Sequence, residues 1–275
     1  SRAIKKDSFF IAIKGKNFDG NDYVEEAFKK GAVLALVDDA KFADTKNNRI
    51  IYVKNTLQAL AKISKNIIKN YDGKVIAITG SNGKTTTTSI IASTLRDSSS
   101  TIANFNNEIG LPLSIFNSSP KSKYLVYEIG ASKFNDINYL SDILKPDIGV
   151  ITNIGLSHLE SLKNIQGVLK VKSEIINNIK KNGFLIVPDD DKDHLQHWKN
   201  IRSDIKLLTF GLKESSDFYP LEPSLKTNGL YFLVKSIYLE KIIKINSKLE
   251  GNHNIVNILA SCAVHYCLGE DINEF

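Results

Sequence analysis

Over the first 73 positions the apolar residues come in short clusters. Phe9–Ile13, Ala32–Val37 and Arg49–Val53 read as strands, and Val24–Lys30 reads as a helix closed by Gly31. Leu57, Leu60, Ala61, Ile63, Ile67 and Ile68 then recur at helical spacing. Asn55 or Thr56 is placed to cap that helix, and Tyr71-Asp72-Gly73 to end it. The pattern predicts a small α/β unit over residues 1–73 and a domain boundary there.

From Lys74 onward, strand-length and helix-length runs alternate. Val75–Thr79, Tyr124–Ile129, Ile148–Thr152 and Phe184–Val187 read as strands. Lys84–Leu95, Asp136–Leu144 (stopped by Pro146) and Ile165–Ile179 read as helices. Such alternation predicts a mostly parallel sheet covered by helices, over residues 74–275. Gly229–Val234 and Lys241–Ile245 are expected as antiparallel strands, and a last helix is expected from about Asn254 to Cys267, with Gly269 as its stop.

Composition narrows the class. Of 275 residues, 42% are hydrophobic and 24% charged, as in ordinary globular chains. No apolar run approaches the roughly 20 residues that span a bilayer, and no basic-then-apolar leader is visible. Cys262 and Cys267 form neither a disulfide framework nor a four-ligand zinc site, so a reducing, cytoplasmic setting is expected. The net charge of +6 comes from scattered lysines without interleaved aromatics. That predicts no nucleic-acid partner and fits either an anionic small substrate or a solvated lysine-rich surface. Methionine is absent and the chain stops just after a buried-type helix, so truncation at both ends is expected; missing methionine-bearing positions would be a second explanation.

The chemistry begins at "TGSNGKTT", Thr79 to Thr86. A strand feeds Gly80-Ser81-Asn82-Gly83, and a helix opens at Lys84. Phosphate loops are built this way: glycines admit close approach, and backbone N–H groups at a helix start receive the anion. Lys84 would reach the terminal phosphates and Thr85 would sit on Mg²⁺. The usual first glycine of the motif falls at Ile78. A strand–turn–helix corner that merely contains Gly-Lys-Thr is the bland alternative.

Three other stretches carry candidates. Glu128, in "YEIGAS", ends a strand, where a carboxylate can hold Mg²⁺ or simply face solvent. His158, in "TNIGLSHLE", is a metal ligand, a base or a loop histidine. In "GNHNIVNILA", Asn252, His253, Asn254 and Asn257 crowd a helix start, where asparagines either read a base edge or cap the helix.

Taken with "KVKSEI", these segments resemble the Mur ligase family, ATP-dependent amide-forming enzymes of peptidoglycan precursor synthesis, and they stand in family order. "NFNNEIGLPLS" and the opening "SRAIKKDSFFIAIKGKNFDGNDYVEEAFKKGA" are similar to the member that joins D-alanyl-D-alanine to UDP-MurNAc-tripeptide. The resemblance implies a UDP-substrate-binding domain over residues 1–73, an ATP-binding domain over residues 74–275, and the absence of the family's third, Rossmann-like domain. It implies ATP and Mg²⁺ as cofactors, and a monomer is expected.

By position, the resemblance assigns Gly80, Ser81, Asn82, Gly83, Lys84, Thr85 and Thr86 to the triphosphate, and Asn252, His253 and Asn257 to the adenine. Thr85, Glu128, His158 and a carbamylated Lys172 are implied at magnesium, with Lys170 the rival lysine; Lys84, Lys172 and His158 are the implied catalytic set. Ser1, Arg2, Asp19, Gly20, Asn106 and Asn107 are implied at the sugar-peptide substrate. The sequence departs from the family at Leu162-Lys163-Asn164, where a Phe-Gly-Ser-like turn is common, and at Asn135, where glycine is frequent. The competing readings are a ligase that adds a single amino acid, a folylpolyglutamate-synthetase-like enzyme, and a non-catalytic nucleotide-binding fragment. The "NNEIGLP" stretch and the opening residues argue against the first two.

Overall fold

The computed structural model describes residues 4–157, 159–226 and 229–272. The chain divides into two compact units, up to Asn66 and from Ile67.

In the first unit, β1 (Ser8–Ile11), β2 (Ala32–Val37) and β3 (Ile50–Tyr52) form a parallel sheet in that order. Helix α1 (Val24–Lys29) connects the first two strands, and α2 (Thr56–Lys69) follows the third and runs across the division. A small core of Ala12, Val24, Ala35 and Val37 is closed by half-buried Phe10, Phe28, Phe42 and Ile50. Buried Asn21 ties the turn before α1 to the end of β2. Its Nδ2 donates to Asp19 and Asp38, and its Oδ1 accepts from the Asp38 and Asp39 amides. Of the two expected caps for α2, Asn55 supplies the acceptor, taking the Gln58 amide at 2.8 Å. Thr56 instead bonds Asp38 through both its amide and its hydroxyl.

The second unit is built on a nine-stranded sheet. In chain order its strands are β4 (Lys74–Thr79), β5 (Ser98–Ser100), β6 (Tyr124–Glu128), β7 (Ile148–Ile151), β8 (Phe184–Pro188), β9 (Lys206–Phe210), β10 (Phe218–Lys226), β11 (Gly229–Ser236) and β12 (Ile243–Ser247). Their spatial order is β12-β11-β10-β9-β8-β7-β4-β6-β5. From β5 to β10 all neighbours are parallel; β11 and β12 add an antiparallel margin. β4 therefore lies between β6 and β7, and the chain leaves it towards one edge before returning to the other. A sheet of this kind binds ligands at such a switch point, beyond the carboxyl ends of the strands.

Helices α3 (Lys84–Thr94), α4 (Gly110–Asn117), α5 (Asp136–Leu144), α6 (Leu159–Leu162), α7 (Ile165–Ser173), α8 (Lys192–Lys199) and α9 (Asn252–Leu268) complete the unit. β4 is buried throughout except for Lys74, as expected of a strand covered on both faces. On one face Ile76, Ile78, Val126, Val150 and Ile186 meet Ile91 of α3 and Ile255, Ile258, Leu259 and Cys262 of α9. The helix expected over 165–179 stops at Ser173 and continues as a 3-10 segment, Glu174–Asn178. Ser173 Oγ bonds back to the Leu169 carbonyl there, a pattern that tightens or bends a helix.

Candidate active site

The phosphate-loop candidate sits where β4 meets α3. Gly83 takes φ +78°, the left-handed region that suits glycine, and acts as the N-cap of α3 without a side-chain capping bond. A Cβ on Gly83 would stand 2.5 Å from Asn257 Oδ1, and one on Gly80 would collide with the Thr152 hydroxyl. The backbone thus passes close to both neighbours because it carries no side chains there. The first intrahelical bond of α3 runs from the Thr87 amide to the Gly83 carbonyl. The amides of Gly83, Lys84, Thr85 and Thr86 find no acceptor among the described residues. Four open N–H groups at the start of an 11-residue helix, with its positive dipole end, form an anion cradle.

Ser81 and Asn82 differ from that set. Their amides donate to Asn153 Oδ1 at 3.1 and 2.8 Å, and the Ser81 amide is shared with the Asn153 carbonyl at 3.2 Å. The Lys84 ammonium folds back on the Gly80 and Ser81 carbonyls at 2.9 and 3.1 Å. Burial lowers its pKa, an effect the nearby Glu128 carboxylate opposes.

Glu128, the last residue of β6, is 3% exposed. Its Oε2 accepts from the Thr85 hydroxyl at 2.7 Å, its Oε1 accepts from Asn106 Nδ2 at 2.6 Å, and its amide donates to Thr101. Asn107 is exposed and closes the turn ahead of α4, its Oδ1 accepting from the Ile109 and Gly110 amides. Thr86 is half-buried in the first turn of α3.

Lys172 and Lys170 have opposite environments. Lys170 is exposed, with its ammonium above the Phe134 ring. Lys172 is 1% exposed and makes no hydrogen bond or ion pair with a described residue. Burial, and then the Lys84 charge, lower its pKa to about 8, against the pull of Glu174, Asp136 and Glu128.

Thr85 with Glu128 offers hard oxygen donors and a buried carboxylate. This suits magnesium, which takes one or two carboxylates and completes its shell with water and phosphate oxygens. No group of three or more His, Cys, Asp or Glu side chains able to hold a metal exists among the described residues. His158, Ser1 and Arg2 lie outside the described residues.

Beside the loop opens a cavity of about 450 Å³. Asn82 and Gly83, Pro188 and Phe210 at the ends of β8 and β9, and His253 of α9 line it, with Leu212 at 56% exposure. Asn257 also borders it, but its Oδ1 accepts from Thr87 and its Nδ2 donates to Asn254. Asn252 is exposed and outside the lining. In the first unit, Asp19 caps the 3-10 turn Gly20–Tyr23 and pairs with Lys14 at 3.5 Å. The bonds from Asn21 to Asp19 hold its carboxyl below the usual range.

The sequence of residues 78–265 matches the Mur ligase middle domain, and that of residues 1–67 matches the profile described as Mur ligase family, catalytic domain. The chain belongs to the Mur ligase family. It is 36% identical over 267 residues to UDP-N-acetylmuramoyl-tripeptide--D-alanyl-D-alanine ligase of Buchnera aphidicola subsp. Baizongia pistaciae, covering 96% of this chain and 57% of that one. The corresponding ligase of Bacillus subtilis is 35% identical, with 96% and 56% covered. Among solved structures, MurF ligase from Thermotoga maritima in complex with ADP superposes with a TM-score of 0.87 at 31% identity, covering 98% of this chain and 62% of that one. The chain thus spans about 57% of the length of these curated Mur ligases. The two departures from the family pattern sit in left-handed backbone, Asn135 at φ +70° and Lys163 at φ +68°. Asparagine tolerates that region where glycine is otherwise favoured.

Sequence reasoning did not single out Asn153, Thr152, Phe210 or Leu212. Asn153 stands within "TNIGLSHLE", where the histidine carries the stronger chemical signal. Phe210 and Leu212 had no motif to mark them.

Proposed function

We propose that this chain carries the nucleotide- and precursor-binding parts of an ADP-forming ligase that joins D-alanyl-D-alanine to UDP-MurNAc-tripeptide. The observation that carries this reading is the convergence at one helix N-terminus of four open amides, Lys84, the Thr85–Glu128 pair and buried Lys172. The names of its relatives, and the ADP bound by one of them, supply the substrates.

In this reading the adenine occupies the cavity beside His253 and Phe210, and the triphosphate lies along the amides of Gly83 to Thr86. The tripeptide carboxylate attacks the γ-phosphorus, the bond to the β-phosphate oxygen breaks, and ADP leaves an acyl phosphate. The amine of the dipeptide then attacks the acyl carbon, and phosphate departs as the amide forms. The first step brings two anions together, so its barrier falls when fixed positive charge faces the phosphates. Lys84 provides such charge once it leaves the Gly80 and Ser81 carbonyls. Magnesium, held by Thr85, Glu128 and His158, would neutralise phosphate charge. A pKa of about 8 leaves part of the Lys172 amine neutral near pH 7.5 and nucleophilic toward CO₂. N–C bond formation with loss of a proton would turn it into a carbamate, a carboxylate where an ammonium stood. Asn106 orients Glu128, and Asn106, Asn107, Asp19 and Gly20 are assigned in this reading to the sugar-peptide substrate. A cytoplasmic setting is part of this reading, because ATP is an intracellular substrate, and a monomer is proposed with it.

The test is phosphate release from ATP by the chain with the tripeptide precursor and either D-alanyl-D-alanine or single amino acids. Release that depends on the dipeptide is expected. Release that depends equally on a single amino acid overturns the choice of amine, and failure to bind ATP overturns the reading as a whole.

A further inference from the structure

The loop that follows β7 grips the phosphate loop at several points. The Thr152 amide continues the β7–β4 ladder by donating to the Thr79 carbonyl at 2.8 Å, so the start of the loop is fixed by the sheet. The Thr152 hydroxyl donates to the Asn82 carbonyl at 2.5 Å. Ser81 Oγ donates to the Gly155 carbonyl and accepts from the Gly155 amide, both at 2.9 Å, and Ser157 Oγ donates to it at 3.1 Å. At the centre, Asn153 Oδ1 accepts from two consecutive amides, Ser81 and Asn82; the Ser81 amide is shared with the Asn153 carbonyl at 3.2 Å, and the Asn82 amide has Oδ1 alone.

Consecutive N–H groups turned towards one oxygen form an anion-binding concavity. Here the protein fills that concavity with a neutral carboxamide oxygen and leaves the next four amides open. We propose that Asn153 is a positioning residue of the phosphate loop: its side-chain oxygen holds the Ser81 and Asn82 amides so that those of Gly83 to Thr86 stay directed at an incoming nucleotide's phosphates. Without that side-chain acceptor, the Ser81 amide keeps only the Asn153 carbonyl, and the Asn82 amide is free to compete for the phosphates and draw the turn out of register. The Gly80 and Ser81 carbonyls that park Lys84 would move with it. Asn153 thereby sets the geometry of groups it does not itself share with substrate. The inference rests on the nucleotide-binding reading and adds a residue to it.

Titration calorimetry at one magnesium concentration, with ADP and with adenosine as probes, separates the possibilities. Asn153→Ala removes the side-chain acceptor, leaving the Asn82 amide with none and the Ser81 amide with the Asn153 carbonyl alone. Asn153→Gln keeps the amide chemistry but displaces its oxygen by one methylene, so it preserves polarity if the alanine variant fails to fold. Both variants are expected to lose at least tenfold in ADP affinity while adenosine affinity, which involves no phosphate, stays within twofold. Unchanged ADP affinity in a folded variant overturns the assignment. An equal loss for ADP and adenosine also overturns it, because a general loosening of the site would then suffice. A wild-type chain that binds neither probe removes the underlying nucleotide reading, whereas wild-type binding with unaffected variants removes the Asn153 assignment alone.

Discussion

Replacing Lys172 by methionine takes an ammonium out of a wholly buried position while keeping an unbranched side chain of similar reach. In the folded chain burial and the Lys84 charge bring the amine from the ordinary 10.5 to about 8. At 1.36 kcal/mol per pH unit, holding the proton there costs about 3 kcal/mol. Below pH 8 the folded and unfolded chains are both protonated at this site, and the whole cost weighs on the native state. Between pH 8 and 10.5 the folded chain has released the proton that the unfolded chain still holds, so the cost declines; above 10.5 it is gone. The methionine variant should therefore be more stable than wild type at pH 7 by up to about 3 kcal/mol, with the gap closing as pH rises through 8 to 10.5. Urea denaturation of both chains from pH 7 to 10.5, in chelator and CO₂-free buffer, measures that gap. A variant no more stable at pH 7, or a gap that does not change with pH, would refute the burial and charge assigned to Lys172.

Lys172→Ala should abolish dipeptide-dependent phosphate release, and small carboxylates such as acetate, but not bicarbonate, should restore part of it; full activity without additive would end the carbamate role. Gly83→Ala forces an L-residue to φ +78° and sets its Cβ 2.5 Å from Asn257 Oδ1. The backbone cost is about 1–2 kcal/mol, and ADP affinity measured by calorimetry should fall at least tenfold. Glu128→Gln keeps the volume and removes the charge beside Thr85, so phosphate release should drop by about a hundredfold or more. ADP binding should at the same time lose its dependence on magnesium; retained dependence would place the ion elsewhere.

Elements whose patterning follows from burial were legible. β2 and α5 occur with the limits expected, and β4 and α3 lie within a residue of them: the two strands are continuous apolar runs, α5 repeats its apolar residues at helical spacing up to the stop before Pro146, and α3 opens at the Gly-Lys-Thr turn. β5 was not: Ser98-Ser99-Ser100 carries no apolar signal and is a strand because β6 pairs with it at the sheet edge. α4 was hidden by Pro112, which sits in its first turn, where the missing N–H costs nothing. The site was legible to the extent that chemistry and local sequence coincide, as in Gly-Lys-Thr. The register of "KVKSEI" alone favours Lys172 over the rival Lys170; that the two differ in burial depends on which face of α7 packs inward, and the grip of Asn153 on the loop is a contact across 71 and 72 positions.

That distance along the chain is short across the sheet. Strand order places β4 between β6 and β7, so the loops that leave their carboxyl ends must emerge side by side. β6 delivers a carboxylate to the Thr85 side of the phosphate loop, and β7 delivers a carboxamide to the Ser81 and Asn82 side. The two contacts differ in kind. Glu128 is charged and reaches the side-chain hydroxyl of a helix residue, so it is placed to share a cation with substrate. Asn153 is neutral and reaches only backbone, so it fixes the loop's shape without adding negative charge beside the phosphates. An aspartate at 153 would satisfy the same two amides yet repel the triphosphate, and asparagine is the residue that meets both requirements.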